Sequence, residues 1–263
     1  MTALCALAPG IAAAQPYPGV TPVPRTTDAA KLHAIAVQRE IVERIHLGVE
    51  AEARQDWATA ADEFERVLAL HPREPQGSTA YYDLGIAQVG LQRLDEAAAS
   101  FDKAIGLDSG FLAARANLVT VQLLRGDLAA ARKSADELVA AAPDSARALY
   151  ARGLVALKSG DASAALGDFR KLLERNPSYA IAHYNLGLAE VKLGRLDDAE
   201  RELRDALGLS PEYARARLAL GSVLLLQGKR AEARAAFDDA ARDSQDVALR
   251  TVAQSLRDAI AHQ

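Results

Sequence analysis

The side chains best suited to recognition in this chain are tyrosines, amides and cations set near multiples of one spacing. Tyr150 and Tyr184 stand 34 residues apart, as do Lys158 and Lys192, while Asn117 and Asn185, and Arg147 and Arg215, are separated by 68. Tyr82 precedes Asn117 by 35 residues. A tyrosine presents a large rigid face and a hydroxyl at small entropic cost. An Asn amide can both donate to and accept from an extended backbone, and Arg or Lys can hold a carboxylate. None of these side chains makes or breaks bonds in such a role.

Groups that could catalyse are scattered. The histidines are His33, His46, His71, His183 and His262, with no paired spacing for a metal. His183 reads as a stripe or packing residue. The glycines recur at regular intervals instead of clustering into a phosphate-binding loop. Asp197-Asp198 and Asp238-Asp239 lie among arginines and read as solvated helix faces. Arg125-Gly126-Asp127 falls at a periodic turn. Cys5 is the only cysteine, so no disulfide is available. The expectation is a protein that is not an enzyme and uses no metal or cofactor. A formal net charge of −4 gives no field that would draw in nucleic acid.

The elements that must position these residues follow the same period. Ala80, Ala114, Ala148, Ala182 and Ala216 are each 34 apart, and so are Ala97, Ala131, Ala165, Ala199 and Ala233. A fixed period of this length signals stacked repeats, each one a supersecondary unit packed on its neighbours. The units run 41–74, 78–111, 112–145, 146–179, 180–213 and 214–247, with Pro75, Gln76 and Gly77 inserted after the first. Each reads helix–turn–helix. Gly126, Gly160, Gly194 and Gly228 are placed to end the first helix in a left-handed conformation. Asp127 and Asp161 are placed to cap the second. Asn176-Pro177 and Ser210-Pro211 read as a cap followed by Pro at the first helical position of the next unit.

Around this array, Thr27-Asp28 is expected to start a long first helix ending near residue 54, making the repeat domain 27–247. Leu249, Val252, Leu256 and Ile260 share one helical face, so 248–263 reads as a capping helix. Residues 15–26 hold four prolines and read as an extended linker. Residues 1–14 look like the apolar core and small-residue cleavage site of a signal peptide, without its basic start; a start placed too far downstream would explain that. The expected location is then the periplasm or outside the cell, and otherwise the cytoplasm. The apolar run is too short and too interrupted by Pro9 and Gly10 to span a membrane.

Over residues 41–247 the chain resembles the tetratricopeptide repeat family, whose pattern is W-x2-L-G-x2-Y, then A-x3-F, then P. Leu47-Gly48, Leu84-Gly85, Leu186-Gly187 and Leu220-Gly221 match the first part. Ala60/Phe64, Ala97/Phe101, Ala165/Phe169 and Ala233/Phe237 match the second, and Pro72, Pro143, Pro177 and Pro211 the third. The family's Trp position instead carries Arg44, Tyr81, Arg115, Leu149, His183 and Arg217, and the third unit has Val119 for Gly and Ala135 for Phe. The third unit is therefore expected to be the least tightly packed. The resemblance implies an all-α fold: a right-handed superhelical solenoid of helix–turn–helix tetratricopeptide repeats with a C-terminal capping helix.

The same resemblance implies that the first helix of each unit faces a concave groove. Tyr82, Asn117, Arg147, Tyr150, Lys158, Tyr184, Asn185, Lys192 and Arg215 are the candidate groove residues. Asn117 with Arg147, and Asn185 with Arg215, resemble the middle of the family's carboxylate clamp, but most of that clamp is absent and its ligand is not assigned. Two readings of the tyrosines stand at this point: anchors for a partner, or partly buried packing. The implied function is a protein–protein interaction scaffold that takes a peptide or helix of a protein partner, in envelope assembly or secretion if exported. The alternative is a structural, self-assembling module.

Overall fold

A computed structural model of the protein describes residues 29–261. The expected export segment 1–14, the linker 15–26 and the Thr27-Asp28 cap lie outside the described residues. Every regular element among the described residues is an α-helix: α1 (Ala29–Ala53), α2 (Trp57–Ala69), α3 (Gln76–Gly90), α4 (Leu94–Leu107), α5 (Leu112–Leu124), α6 (Leu128–Ala141), α7 (Ala146–Lys158), α8 (Ala162–Arg175), α9 (Ala180–Lys192), α10 (Leu196–Leu209), α11 (Ala214–Leu226), α12 (Arg230–Asp243) and α13 (Val247–Ala261). The fold is an all-α helical repeat. Two compact units divide between Asp127 and Leu128, at the internal turn of the third repeat, the repeat that carries Val119 and Ala135. The first described unit holds α1 to α5 and the second α6 to α13.

The turns inside the repeats share one geometry. Gly126, Gly160, Gly194 and Gly228 have φ of +78°, +85°, +73° and +78°. The residue after each donates its backbone N–H across the turn, as in Asp161 to the Ala156 carbonyl at 2.9 Å and Lys229 to the Leu224 carbonyl at 2.8 Å. This six-to-one bond closes the helix end and satisfies a carbonyl that would otherwise have no partner. Gln55 and Gln92 occupy the same register position in the first two repeats and take the same conformation, with φ of 58° and 61°. Asp161 caps α8 as expected, accepting from the Ala164 amide at 3.0 Å, and Asp56 caps α2 in the same way through Thr59 at 3.3 Å.

The turns between repeats differ from expectation. Asn176 and Ser210 end the preceding helices instead of starting the next ones. Pro177 and Pro211 each take the second position of a β-turn, closed by Tyr179 N–H to the Asn176 carbonyl at 3.3 Å and Tyr213 N–H to the Ser210 carbonyl at 3.0 Å. Pro suits that position because its ring fixes the required φ. Helices α9 and α11 then begin three residues after the proline.

Close packing explains the small-residue ladders. Phe64, Phe101, Phe169, Phe237 and Leu203 are fully buried, and each faces a glycine 16 residues earlier on the paired helix. A Cβ on Gly48, Gly85, Gly153 or Gly221 would lie 2.6–2.7 Å from the facing Phe ring; on Gly187 it would lie 2.9 Å from Leu203. The alanines of both ladders have at most 1% exposure, so no side chain larger than a methyl fits there. α13 lies against α12 and buries Ala253, while Thr251, Gln254, Ser255 and Asp258 face outward.

Candidate functional site

In the unit from Leu128 onward, α7, α9 and α11 are successive first helices. Tyr150 on α7 packs its ring on Phe169 (centroids 6.1 Å) and edge-on to Tyr179 (5.7 Å), leaving 8% of it exposed. Asn185 on α9 donates its side-chain amide to the Tyr150 hydroxyl at 3.4 Å and to the Ile181 carbonyl at 2.8 Å. One helix further, Tyr184 packs on Tyr213 at 5.1 Å. In the unit before Leu128, Tyr82 packs on Phe111 at 4.9 Å and accepts from the Asn117 amide at 3.3 Å. Tyr82 with Asn117 and Tyr150 with Asn185 thus pair across adjacent first helices, while Tyr184 packs on the ring just ahead of α11.

Tyr150 and Asn185, expected as partner contacts, are buried; they belong largely to the packing between helices. Burial holds the Tyr150 hydroxyl well above the ordinary phenol range, so it is a neutral hydroxyl at any ordinary pH. Tyr179 and Tyr184 are raised for the same reason, with Arg147 and Arg215 respectively pulling the other way. Arg147, Lys158 and Lys192 are exposed, and none makes a hydrogen bond or ion pair among the described residues. Lys158 and Lys192 stand in the last turns of α7 and α9, where the helix dipole favours a cation. Of the candidate residues on α7 and α9, Arg147, Lys158 and Lys192 are thus the exposed ones, and Tyr184 is half-buried.

Glu52 on α1 has a carboxyl pushed up to about 8, first by burial and then by Asp83 on α3. One of its oxygens is buried without a hydrogen-bond partner.

Sequence reasoning missed Phe111, Tyr179 and Tyr213 as members of this face. They stand just ahead of α5, α9 and α11, in the stretch read as the end of the preceding repeat. Their signal was the same 34-residue step between Tyr179 and Tyr213.

In the third, fifth and sixth repeats the family's Trp position reaches back to the turn ahead of its helix. Arg115 donates to the Ser109 carbonyl at 3.2–3.3 Å, His183 Nε2 lies 3.0 Å from the Pro177 carbonyl, and Arg217 bonds the Pro211 carbonyl. These carbonyls occupy equivalent places in the inter-repeat turns. A polar clasp thus replaces the packing an indole would supply.

The tetratricopeptide repeat family model matches residues 46–110, 116–180, 150–202 and 184–248, and the chain belongs to that family. Among curated proteins no sequence match is found. A tetratricopeptide repeat protein from Parabacteroides merdae is 21% identical, with 85% of this chain and 88% of that one aligned at a TM-score of 0.69. The thermophilic repeat protein TTC0263 from Thermus thermophilus is 26% identical over 68% of this chain and 97% of its own, at a TM-score of 0.62. YrrB, described as a repeat protein with an unusual peptide-binding site, is 22% identical over 74% of this chain and all of its own, at a TM-score of 0.51. The fold is that of protein–protein interaction scaffolds.

Proposed function

We propose that this protein is a non-catalytic scaffold whose first-helix face binds a peptide or helix of a protein partner, and that the stretch over α7 to α11 takes a segment bearing carboxylates. The observation that carries this reading is that Arg147, Lys158 and Lys192, on first helices of one unit that also carry the half-buried Tyr184, are exposed and make no hydrogen bond or ion pair among the described residues. Exposed charges of one sign favour a partner of opposite sign and speed its encounter. The half-buried Tyr184 adds apolar area. The peptide-binding site ascribed to YrrB is consistent with this use of the fold. If residues 1–14 direct export, the scaffold serves envelope assembly or secretion.

Affinity capture with the full chain as bait, followed by mass spectrometry, tests the reading. The expected result is a partner released by raised salt, because exposed ion pairs are screened. Light scattering separates it from self-assembly: a monomer at working concentration supports the scaffold, and a defined oligomer supports the alternative.

A further inference from the structure

We infer that His183, Glu202 and Asp205 form a binding site for a divalent transition metal of the zinc class, joining α9 to α10 within the fifth repeat. Their ligand atoms all lie within 4.8 Å of one another. His183 Nδ1 is 2.8 Å from Glu202 Oε2, and both side chains are 14% exposed. On the other side of the ring, Nε2 lies 3.0 Å from the Pro177 carbonyl. A proton on Nε2 donating to a backbone carbonyl is the arrangement that fixes a histidine's tautomer and aims the opposite nitrogen at a metal. The metal takes the place of the Nδ1 proton that otherwise faces Glu202. Imidazole with carboxylates suits zinc-class ions. Ligands about 2.0–2.2 Å from such an ion stand roughly 3.3 Å apart, and the exposed Asp205 side chain can close that distance.

The positions of Glu202 and Asp205 hold Glu63 and Arg66 in the first repeat and Asp168 and Lys171 in the fourth. In both of those a cation follows the acid one helical turn later, and Arg66 bonds Glu63 at 2.9 Å. Only the fifth repeat places two carboxylates there. The residue that faces them is also distinctive: the equivalent positions in the third and sixth repeats carry Arg115 and Arg217, which make the same turn-carbonyl bond but cannot ligate a metal. Like charges one turn apart are unfavourable unless a cation lies between them. Without a metal, Arg201, bonding Asp198 at 2.9 Å and standing 3.7 Å from Glu202, and the His183 ring at 2.8 Å share that compensation.

The test is titration of the chelator-treated full chain with zinc chloride by calorimetry. His183→Arg installs the residue of the third and sixth repeats and keeps the turn-carbonyl bond, so the fold is retained. Asp205→Asn alters an exposed group. The expected result is one saturable zinc per chain, with affinity falling roughly tenfold or more in each variant while both keep their helicity. The absence of a saturable site, or zinc affinity that survives either substitution, overturns the proposal; in the latter case the ion sits on other histidines.

Discussion

The Asn185 side-chain amide donates to the Tyr150 hydroxyl at 3.4 Å, and the same bond joins Asn117 to Tyr82, 35 residues apart in both cases. This pairing ties adjacent first helices through polar atoms on a face otherwise read as open for binding. Removing the hydroxyl with Tyr150→Phe keeps the ring packing and leaves the buried amide with the Ile181 carbonyl alone. The expected loss is about 1 kcal/mol, read from urea denaturation, with unchanged helicity. Tyr150→Ala should cost about 3–5 kcal/mol through lost packing.

The facing pair Gly153 and Phe169 leaves no room for a methyl, since a Cβ would lie 2.7 Å from a ring that is fully buried. Gly153→Ala should destabilise the protein by roughly 1–3 kcal/mol, and Ala165→Leu on the paired helix by a similar amount. Thermal melts of the single variants check both; an unchanged midpoint would remove that position from the wedge.

Gln92 holds a left-handed backbone, φ 61°, where later repeats use glycine. Gln92→Gly relieves that strain but loosens the unfolded chain, for a net gain of roughly 0.5–1 kcal/mol. Gly160→Ala, at φ +85°, should move stability the other way. Chemical denaturation of the two variants side by side reads the sign directly.

Two side chains should tie stability to pH. Glu202 foremost holds the His183 imidazolium above its ordinary value of 6.5. The stabilisation is therefore full below that value and lost as pH rises through the raised one. Wild type should lead His183→Ala most in mild acid, whereas His183→Arg should not lose its contribution across the same range. Denaturation midpoints against pH in the presence of chelator measure this.

Glu52 works in the opposite sense. Its carboxyl is raised from 4.5 to about 8, by burial first, so ionisation opposes folding. The penalty is absent below 4.5, grows as pH rises, and levels off above about 8. Glu52→Gln should thus match wild type in acid and exceed it in alkali, by melting midpoint.

Much of this was legible in the chain. The alanine ladders and the glycine turns follow from period and residue size, because a stack repeats its tightest contacts; the long first helix and the terminal helix follow from local helical pattern, though Val252 of the expected terminal face is exposed. The inter-repeat turns were misread because Asn-Pro and Ser-Pro suit both a helix start and a β-turn; the Tyr179 and Tyr213 hydrogen bonds decide between them. Gln55 and Gln92 hid two left-handed turns because strain leaves no mark on composition. Tyr150 could not be placed from its spacing alone, since the same stripe position can face a partner or fill the gap to Tyr179. His183, Glu202 and Asp205 meet only because α9 and α10 fold back on one another.

The most direct test of the central claim is the affinity of the captured partner segment for wild type and for the Arg147→Glu, Lys192→Glu double variant, by calorimetry at fixed salt. Both side chains are exposed, so the melting temperature should hold. Binding through this face predicts affinity at least roughly tenfold weaker, with reduced salt dependence. Equal affinity for the two proteins would contradict it.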